Sequence, residues 1–503
     1  MATETGDAPA TAPDRRLHPL SWLFVLLAQM RQFIVPLLAL VVFGQRDDEA
    51  LWPLVGVGVL ALVSVWRYFT YRYRIEADSI VIRSGLLHRH LREVPFARIH
   101  NVALHQSVLH RVFDVAEVRL ESAGGTKPEA QMQVLKLADA MALEALVRRR
   151  AGAAAGAATA GADTSAEDAG ETLLALPPME VLRLGLVSNR GLLVLGGGFA
   201  AVSQFNSRLL GTLFEQWGQA LFGYAEAHQF DIQDYLLAGT SLVVAFIALL
   251  RLFSVLLALL QYFGFRLEEH GRRLTVVRGL LTRLRSSVPR RRIQAWTLEE
   301  SLTHRLLRRR SLHVDTAVGA QPGQSGRGLR DLAPIATAQQ CDALVRHLVP
   351  QLAWPPAQWQ PLHPRAWLRL ALPGVLLALV VAAALCWNFG AWGLLALAWL
   401  PWSVFVARRH AAHAGYACEG ELVARRGGWW SRHWRFAELD KLQALQLWQS
   451  PLDRMLGMAT LGLDTAGAGA LSPPLRLYYL PEADARALFE RLGAAVARRK
   501  LRW

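Results

Sequence analysis

The sequence predicts an α+β membrane protein: three hairpins of apolar helices, each followed by a small antiparallel sheet or partial barrel that closes with a helix. Three observations predict it. Of 503 residues, 53% are hydrophobic while 19% are still charged, with a mean hydropathy of +0.22. That is too apolar for an ordinary soluble enzyme and too charged for a bare bundle of membrane helices. Six long apolar stretches fall in three pairs. The basic segments after the pairs repeat one another position by position.

The paired stretches are 20–43 and 51–69, 181–205 and 235–263, and 366–387 and 391–406. With a rise of about 1.5 Å per residue, about 20 residues cross a hydrocarbon core. Arg31 sits inside the first stretch, where a mid-bilayer charge costs about 2.5–3.5 kcal/mol. Residues 20–30 therefore read as an interfacial helix leading into the span. Asn189 and Arg190 interrupt the third stretch. The N-terminus carries Glu4, Asp7 and Asp14 and no clear cleavage site, so it reads as a retained span. Arg15 and Arg16 precede the first pair. The connectors at 44–50 and 206–234 are rich in acid (Asp47, Asp48, Glu49; Glu215, Glu226, Asp231, Asp234), and the segments after each pair are basic. The positive-inside rule then places those segments and both termini in the cytoplasm.

The repeat is anchored on Ile99, Ile293 and Leu442. A glycine lies fourteen residues upstream (Gly85, Gly279, Gly428). A serine follows eight residues downstream (Ser107, Ser301, Ser450), an arginine at twelve (Arg111, Arg305, Arg454), an acid at twenty-two (Glu121, Asp315, Asp464) and an alanine at twenty-four (Ala123, Ala317, Ala466). Period-two alternation, as in Tyr71, Tyr73 and Ile75 against Arg72, Arg74 and Glu76, marks strands. Closing helices are expected near 138–150, 337–348 and 482–499, with Thr337 and Gln340 forming a capping box. The organisation is thus a tail (1–19), a first pair (20–69) and module (70–150), a flexible linker (151–175), a second pair (176–263) and module (264–350), and a third pair (351–407) and module (408–503). The connector inside the second pair, with Leu209, Leu213, Trp217, Leu221 and Tyr224 at helical spacing, reads as an external amphipathic helix.

The net charge is +15, and four of the 55 basic residues are lysines. Cys341, Cys386 and Cys418 are too scattered for a disulfide scaffold or zinc ribbon. There is no P-loop, G-x-S-x-G, H-E-x-x-H or dinucleotide fingerprint. His88-x-His90 and His410-x-x-His413 lack the further ligands a metal needs. Gly196-Gly197-Gly198, in an apolar stretch, reads as close helix packing. No cofactor, metal or catalytic residue is therefore expected.

The hydrophobic pairs, the L-P-P start at Leu176-Pro177-Pro178, the turn Gln449-Ser450-Pro451-Leu452-Asp453-Arg454-Met455-Leu456-Gly457 and the Asp-Thr-Ala end at 464–466 resemble bacterial pleckstrin-homology-like (PH-like) membrane proteins of the YdbT type. The likeness covers nearly the whole chain and is strongest in the third copy; Asp114 and Arg308 stand where Gly457 ends the turn. It implies PH-like modules on membrane hairpins in the bacterial inner membrane, supplies no catalytic residues, and links the chain to the cell envelope and antimicrobial-peptide resistance.

Two sets of site residues follow. Arg290, Arg291 and Arg292 with Arg308, Arg309 and Arg310 form two basic runs that, converging on one face, would bind anionic headgroups at about 1 kcal/mol per charge. The repeated Arg111, Arg305 and Arg454 can pair with Glu121, Asp315 and Asp464 inside each module, or contact a ligand. The expected function is a non-enzymatic envelope scaffold or resistance factor whose cytoplasmic modules bind membrane lipids, peptides or protein partners, and no nucleic acid. A transporter or lipid-handling protein using the membrane helices is the alternative.

Overall fold

The computed structural model describes residues 170–205, 207–227, 231–316, 329–465 and 475–498, and, in the first third of the chain, 15–16, 18–24, 26–27, 58–59, 62–63, 66, 69–76, 78–85, 90–122 and 130–156. One order of elements recurs three times. The first copy has β1 (Arg15–Arg16), β2 (Arg72–Ile75), β3 (Ser79–Ser84), β4 (His90–Pro95), β5 (Ile99–Gln106), the short helix α1 (Val108–Val112), β6 (Val115–Ser122), β7 (Ala130–Lys136) and α2 (Leu137–Gly156). The second begins with β8 (Glu171–Ala175). It continues through α3 (Pro178–Val187), α4 (Arg190–Phe205), α5 (Ser207–Ala227) and α6 (Ile232–Tyr262). Then come β9 (Arg266–His270), β10 (Arg273–Arg278), β11 (Arg283–Pro289), β12 (Ile293–Glu300), α7 (Leu302–Leu306), β13 (Arg310–Thr316), β14 (Asp331–Ala336) and α8 (Ala338–Leu348). The third has β15 (Gln360–Pro361), α9 (Ala366–Phe389), α10 (Trp399–His413), β16 (Gly415–Glu419), β17 (Leu422–Gly427), β18 (Arg432–Glu438), β19 (Leu442–Trp448), α11 (Pro451–Leu456), β20 (Met458–Thr465), β21 (Leu475–Pro481) and α12 (Glu482–Ala497).

The apolar helices are inserted into the module rather than placed before it. The first strand of each copy (β1, β8, β15) precedes the helices, and its partner (β2, β9, β16) follows them. The 151–175 stretch is therefore more than a linker: 151–156 continue α2, and 171–175 are β8. Residues 157–169 lie outside the described residues.

Modules also share sheets. The strand orders are β1-β2-β3-β4, then β7-β6-β5-β11-β10-β9-β8, then β14-β13-β12-β18-β17-β16-β15, and finally β19-β20-β21. The last three strands of one module thus continue into the first four of the next. The junctions use one register: Gln106 faces Arg283 and Val102 faces Ser287, while their repeat equivalents Glu300 and Trp296 face Arg432 and Phe436. Hydrophobic cores run across the joins. Trp354, after α8, stacks on Phe436 of β18 at 4.1 Å, and Trp296 of β12 lies 6.2 Å from the same ring. Asp315 of β13 pairs with Arg435 of β18 at 2.6 Å, both nearly buried.

Gly85, Gly279 and Gly428 occupy equivalent turns after β3, β10 and β17, all with positive φ (115°, 109° and 82°). A Cβ at Gly279 or Gly428 would run into the carbonyl oxygen of Thr282 or Ser431. Thr337 and Gln340 form the capping box of α8.

Among the described residues, two stretches are long and apolar enough to cross a membrane: Ile232–Tyr262 and Ala366–His413. The second folds back on itself. A 3₁₀ segment (Gly390–Ala398) returns along α9, with Gly393 against the backbone of Leu385 and Cys386, and α10 packs on α9. The expected span at 181–205 is instead two helices, α3 and α4, broken at Ser188-Asn189. Arg251 of α6 satisfies the break, donating to the carbonyls of Leu186 and Ser188 and to Asn189 Oδ1. Close packing falls at Gly185 against Val255 and Gly191 against Ser254, while Gly196, Gly197 and Gly198 face open space. The 206–234 connector holds α5. Most of the first pair, including Arg31, lies outside the described residues.

Candidate functional site

Each module has two ends, and the apolar helices fix which is which. Gly279 N–H donates to the Phe263 carbonyl and Leu280 N–H to that of Leu260, so the β10–β11 turn lies against the end of α6. At the other end of the same strands, Arg290 N–H donates to the Arg272 carbonyl. The short helices α1, α7 and α11 lie at the helix end. Their N-caps are the repeated serines: Ser107, Ser301 and Ser450 accept from the backbone of His110, His304 and Asp453. The turn after each short helix is left-handed whatever residue fills it, with φ 51° at Asp114, 53° at Arg308 and 71° at Gly457.

In each copy the short helix touches the base of its own apolar helices. The Phe24 ring lies tilted against that of His110, with the centroids 4.2 Å apart. Arg309, just after α7, holds Glu180 of α3 through two hydrogen bonds of 2.9 and 2.8 Å, and that guanidinium is the main cause that lowers the Glu180 carboxyl pKa. Arg369 of α9 reaches Asp453 of α11 at 3.3 Å. Each short helix also carries a bare apolar side chain at one repeat position: Val112, Leu306 and Met455 are 71%, 83% and 80% exposed.

The six arginines do not form one patch. Arg290, Arg291 and Arg292 lie at the far end and Arg308, Arg309 and Arg310 at the helix end. The eight-residue strand β12 separates them by about 26 Å at 3.3 Å per residue. Charge runs show nothing of which strand end they occupy, which is why they looked convergent. Several are already engaged. Arg290 pairs with Glu269 at 2.7 Å and donates to the carbonyls of His347 and Leu348. Arg310 pairs with Glu300 at 2.7 Å and stacks over Trp434. Arg291 and Arg308 are exposed.

The repeated arginines and acids do not pair within modules either. Arg111, Arg305 and Arg454 sit on the short helices, whereas Asp315 and Asp464 lie at the far ends of their strands. Arg111 donates to the Leu280 carbonyl of the second module at 3.1 Å, and Asp315 goes to Arg435. Arg305, Arg454 and Asp464 are exposed, and the side chain of Glu121 lies outside the described residues.

The third module adds a feature the sequence reading missed. A cavity of about 260 Å³ opens at its helix end, where Arg425, Arg426, Tyr478 and Tyr479 face Leu370 of α9 and His410 of α10. Arg425 stacks over Tyr478 at 4.4 Å and donates to the Arg476 carbonyl, and Arg426 stacks over Trp359 at 5.1 Å. Neither arginine has a carboxylate partner among the described residues, and Arg426 Nε is buried without a hydrogen bond. Burial pulls both guanidinium pKa values down, which an anion would reverse. Burial and Arg425 together hold the neighbouring His433 neutral, its pKa lowered to about 4. Tyr479 keeps a left-handed φ of 54°, a strained conformation for a non-glycine residue on the cavity wall. A signal was present: Ile82 and Val276, core residues at 6% and 4% exposure, occupy the position of Arg425 in the other copies. The second module uses its helix end differently. Tyr262, Arg278 and His313 all bond Asp331, at 2.5, 2.9 and 3.0 Å. Although burial opposes the charge, those bonds hold the Asp331 carboxyl well below the usual range. That clamp is satisfied internally and ties α6 to its module.

Three four-plus-three strand modules with closing helices, threaded on apolar helices, define a membrane-associated array of PH-like units. The chain belongs to the bacterial PH domain family, whose model matches residues 23–151, 220–348 and 368–496. It is 22% identical over 423 residues to the UPF0699 transmembrane protein YdbT of Bacillus subtilis (strain 168), covering 81% of this chain and 84% of that protein. No solved structure matches the chain.

Proposed function

We propose that this is a non-enzymatic multipass protein of the bacterial inner membrane whose PH-like modules, on the cytoplasmic side, bind anionic lipid headgroups. The observation that carries the reading is the Arg425–Arg426 cavity at the base of the third helical pair, where a headgroup phosphate would meet two guanidinium groups that no carboxylate among the described residues neutralises. The short helices support it, since their bare apolar tips point the same way and would sit in the headgroup layer. The six-span topology with both termini cytoplasmic rests on the flanking charges. A row of modules fixed at the bilayer would suit a role as an envelope scaffold.

The test uses the purified full chain in detergent, titrated with phosphatidylglycerol and phosphatidylcholine and read by native mass spectrometry. Phosphatidylglycerol should bind more tightly. The Arg425→Gln/Arg426→Gln variant should lose roughly 30-fold in affinity at about 1 kcal/mol per charge, and Arg426→Gln alone part of it. Arg291→Gln, at the far end, should change nothing. Melting temperatures verify folding. Equal binding of the two lipids, or full binding by the folded double variant, would defeat the proposal.

A further inference from the structure

The two inter-module junctions leave two sheet ends without the neighbour that their equivalents have. β11 pairs with β5, and β18 pairs with β12. Their first-copy equivalent, β4, ends its sheet, and the third-copy equivalent of β5 and β12, β19, ends another. We propose that β19 of one chain receives β4 of a second copy, so that the protein associates head to tail in the membrane plane.

Four features carry this beyond the bare presence of edges, which by themselves are only templates for pairing. The first is register. Both internal junctions match the same repeat positions, so the third is fixed: Trp448 opposite His90, Leu447 opposite Leu91, Gln446 opposite Arg92 and Leu445 opposite Glu93. The second is exposure. His90, Leu91, Arg92 and Glu93 are all exposed, Leu91 at 66%, and Ala444 of β19 is exposed where its β12 counterpart Ala295 is fully buried. The third is charge. At the second junction Arg435 is held by Asp315 at 2.6 Å and by Thr297 Oγ1 at 2.8 Å. Arg92 is the equivalent of Arg435, and the exposed Asp464 and Gln446 are the equivalents of Asp315 and Thr297. The two edges thus carry a cation and an acid at the positions that meet across the internal junction. The fourth is geometry. The junction strands run from the helix end to the far end, so pairing extends the row sideways and keeps every helix end on one side. A second copy in the same bilayer and orientation can therefore dock. Because the two surfaces differ, the contact is heterologous.

The test uses full-length chains in which Cys341, Cys386 and Cys418 are replaced by Ala. One tagged chain carries Leu91→Cys, and a differently tagged chain carries Leu447→Cys. The two are co-expressed, and membranes are treated with a short bifunctional thiol reagent. The expected product is a covalent heterodimer, at least tenfold more abundant than dimers from either variant alone. Asp464→Arg on the Leu447→Cys chain should cut it at least fivefold, and Arg92→Asp on the partner should restore it. Lack of heterodimer from folded, labelled chains would overturn the proposal. So would equal dimers from the single variants, or a Leu91→Cys/Leu447→Cys chain that cross-links only to itself. None of these readouts depends on lipid binding.

Discussion

Arg425 shows how much one residue can say when its repeat equivalents are known. Where the first and second modules place Ile82 and Val276 in their cores, the third places a cation that stacks on Tyr478 and lines a cavity. His433 beside it pays a measurable consequence. Its pKa is lowered to about 4 from 6.5, so between those values the unfolded chain binds the proton that the folded one refuses. Stability should fall as pH drops through that window, and His433→Asn should flatten the dependence; melting temperature against pH in detergent reads it. Gly428 makes a steric prediction. With φ at 82° and the Ser431 carbonyl in the way of any Cβ, Gly428→Ala should destabilise the chain by roughly 1–3 kcal/mol, seen as a lower melting temperature. The turn glycines were legible in the sequence because only backbone conformation demands them. The arginine cavity was legible in principle, through the break it makes in the repeat. The six-arginine patch was misread because a run of like charges carries no information about strand direction.

At the scale of elements, alternation and the repeat gave strands and closing helices in the right order, and the repeated serines turn out to be the caps of α1, α7 and α11. Strand sharing between modules could not be read in the same way. Backbone hydrogen bonds make it, and an alternating strand looks alike whether its neighbour belongs to its own module or the next. The sequence marks the junction only through side chains that meet across it. Asp315 and Arg435 are the clearest, with side chains 8% and 9% exposed. Asp315→Asn, which leaves Arg435 buried without its counter-charge, should cost about 3–5 kcal/mol. Asp315→Leu/Arg435→Met should cost less than that single change. Thermal unfolding of the full chain compares the two, and a double variant as damaged as the single one would show that Arg435 answers to other partners.

Over the whole molecule, the three modules share one arrangement, with the short helices at the same end of each, and the proposed function turns that end toward the bilayer. The proposed lipid contact and the proposed lateral association both depend on that arrangement. Placing Arg290, Arg291 and Arg292 at the far end and Leu306 at the helix end makes the arrangement measurable. Spin labels on the full chain in liposomes, at Val112→Cys, Leu306→Cys, Met455→Cys and Arg291→Cys in a background without native cysteines, report contact with lipid or water through collisions with oxygen or a water-soluble nickel chelate. The first three labels should be oxygen-accessible and nickel-protected, and the fourth nickel-accessible. Labels at 112, 306 and 455 in water, or a label at 291 in lipid, would contradict the account.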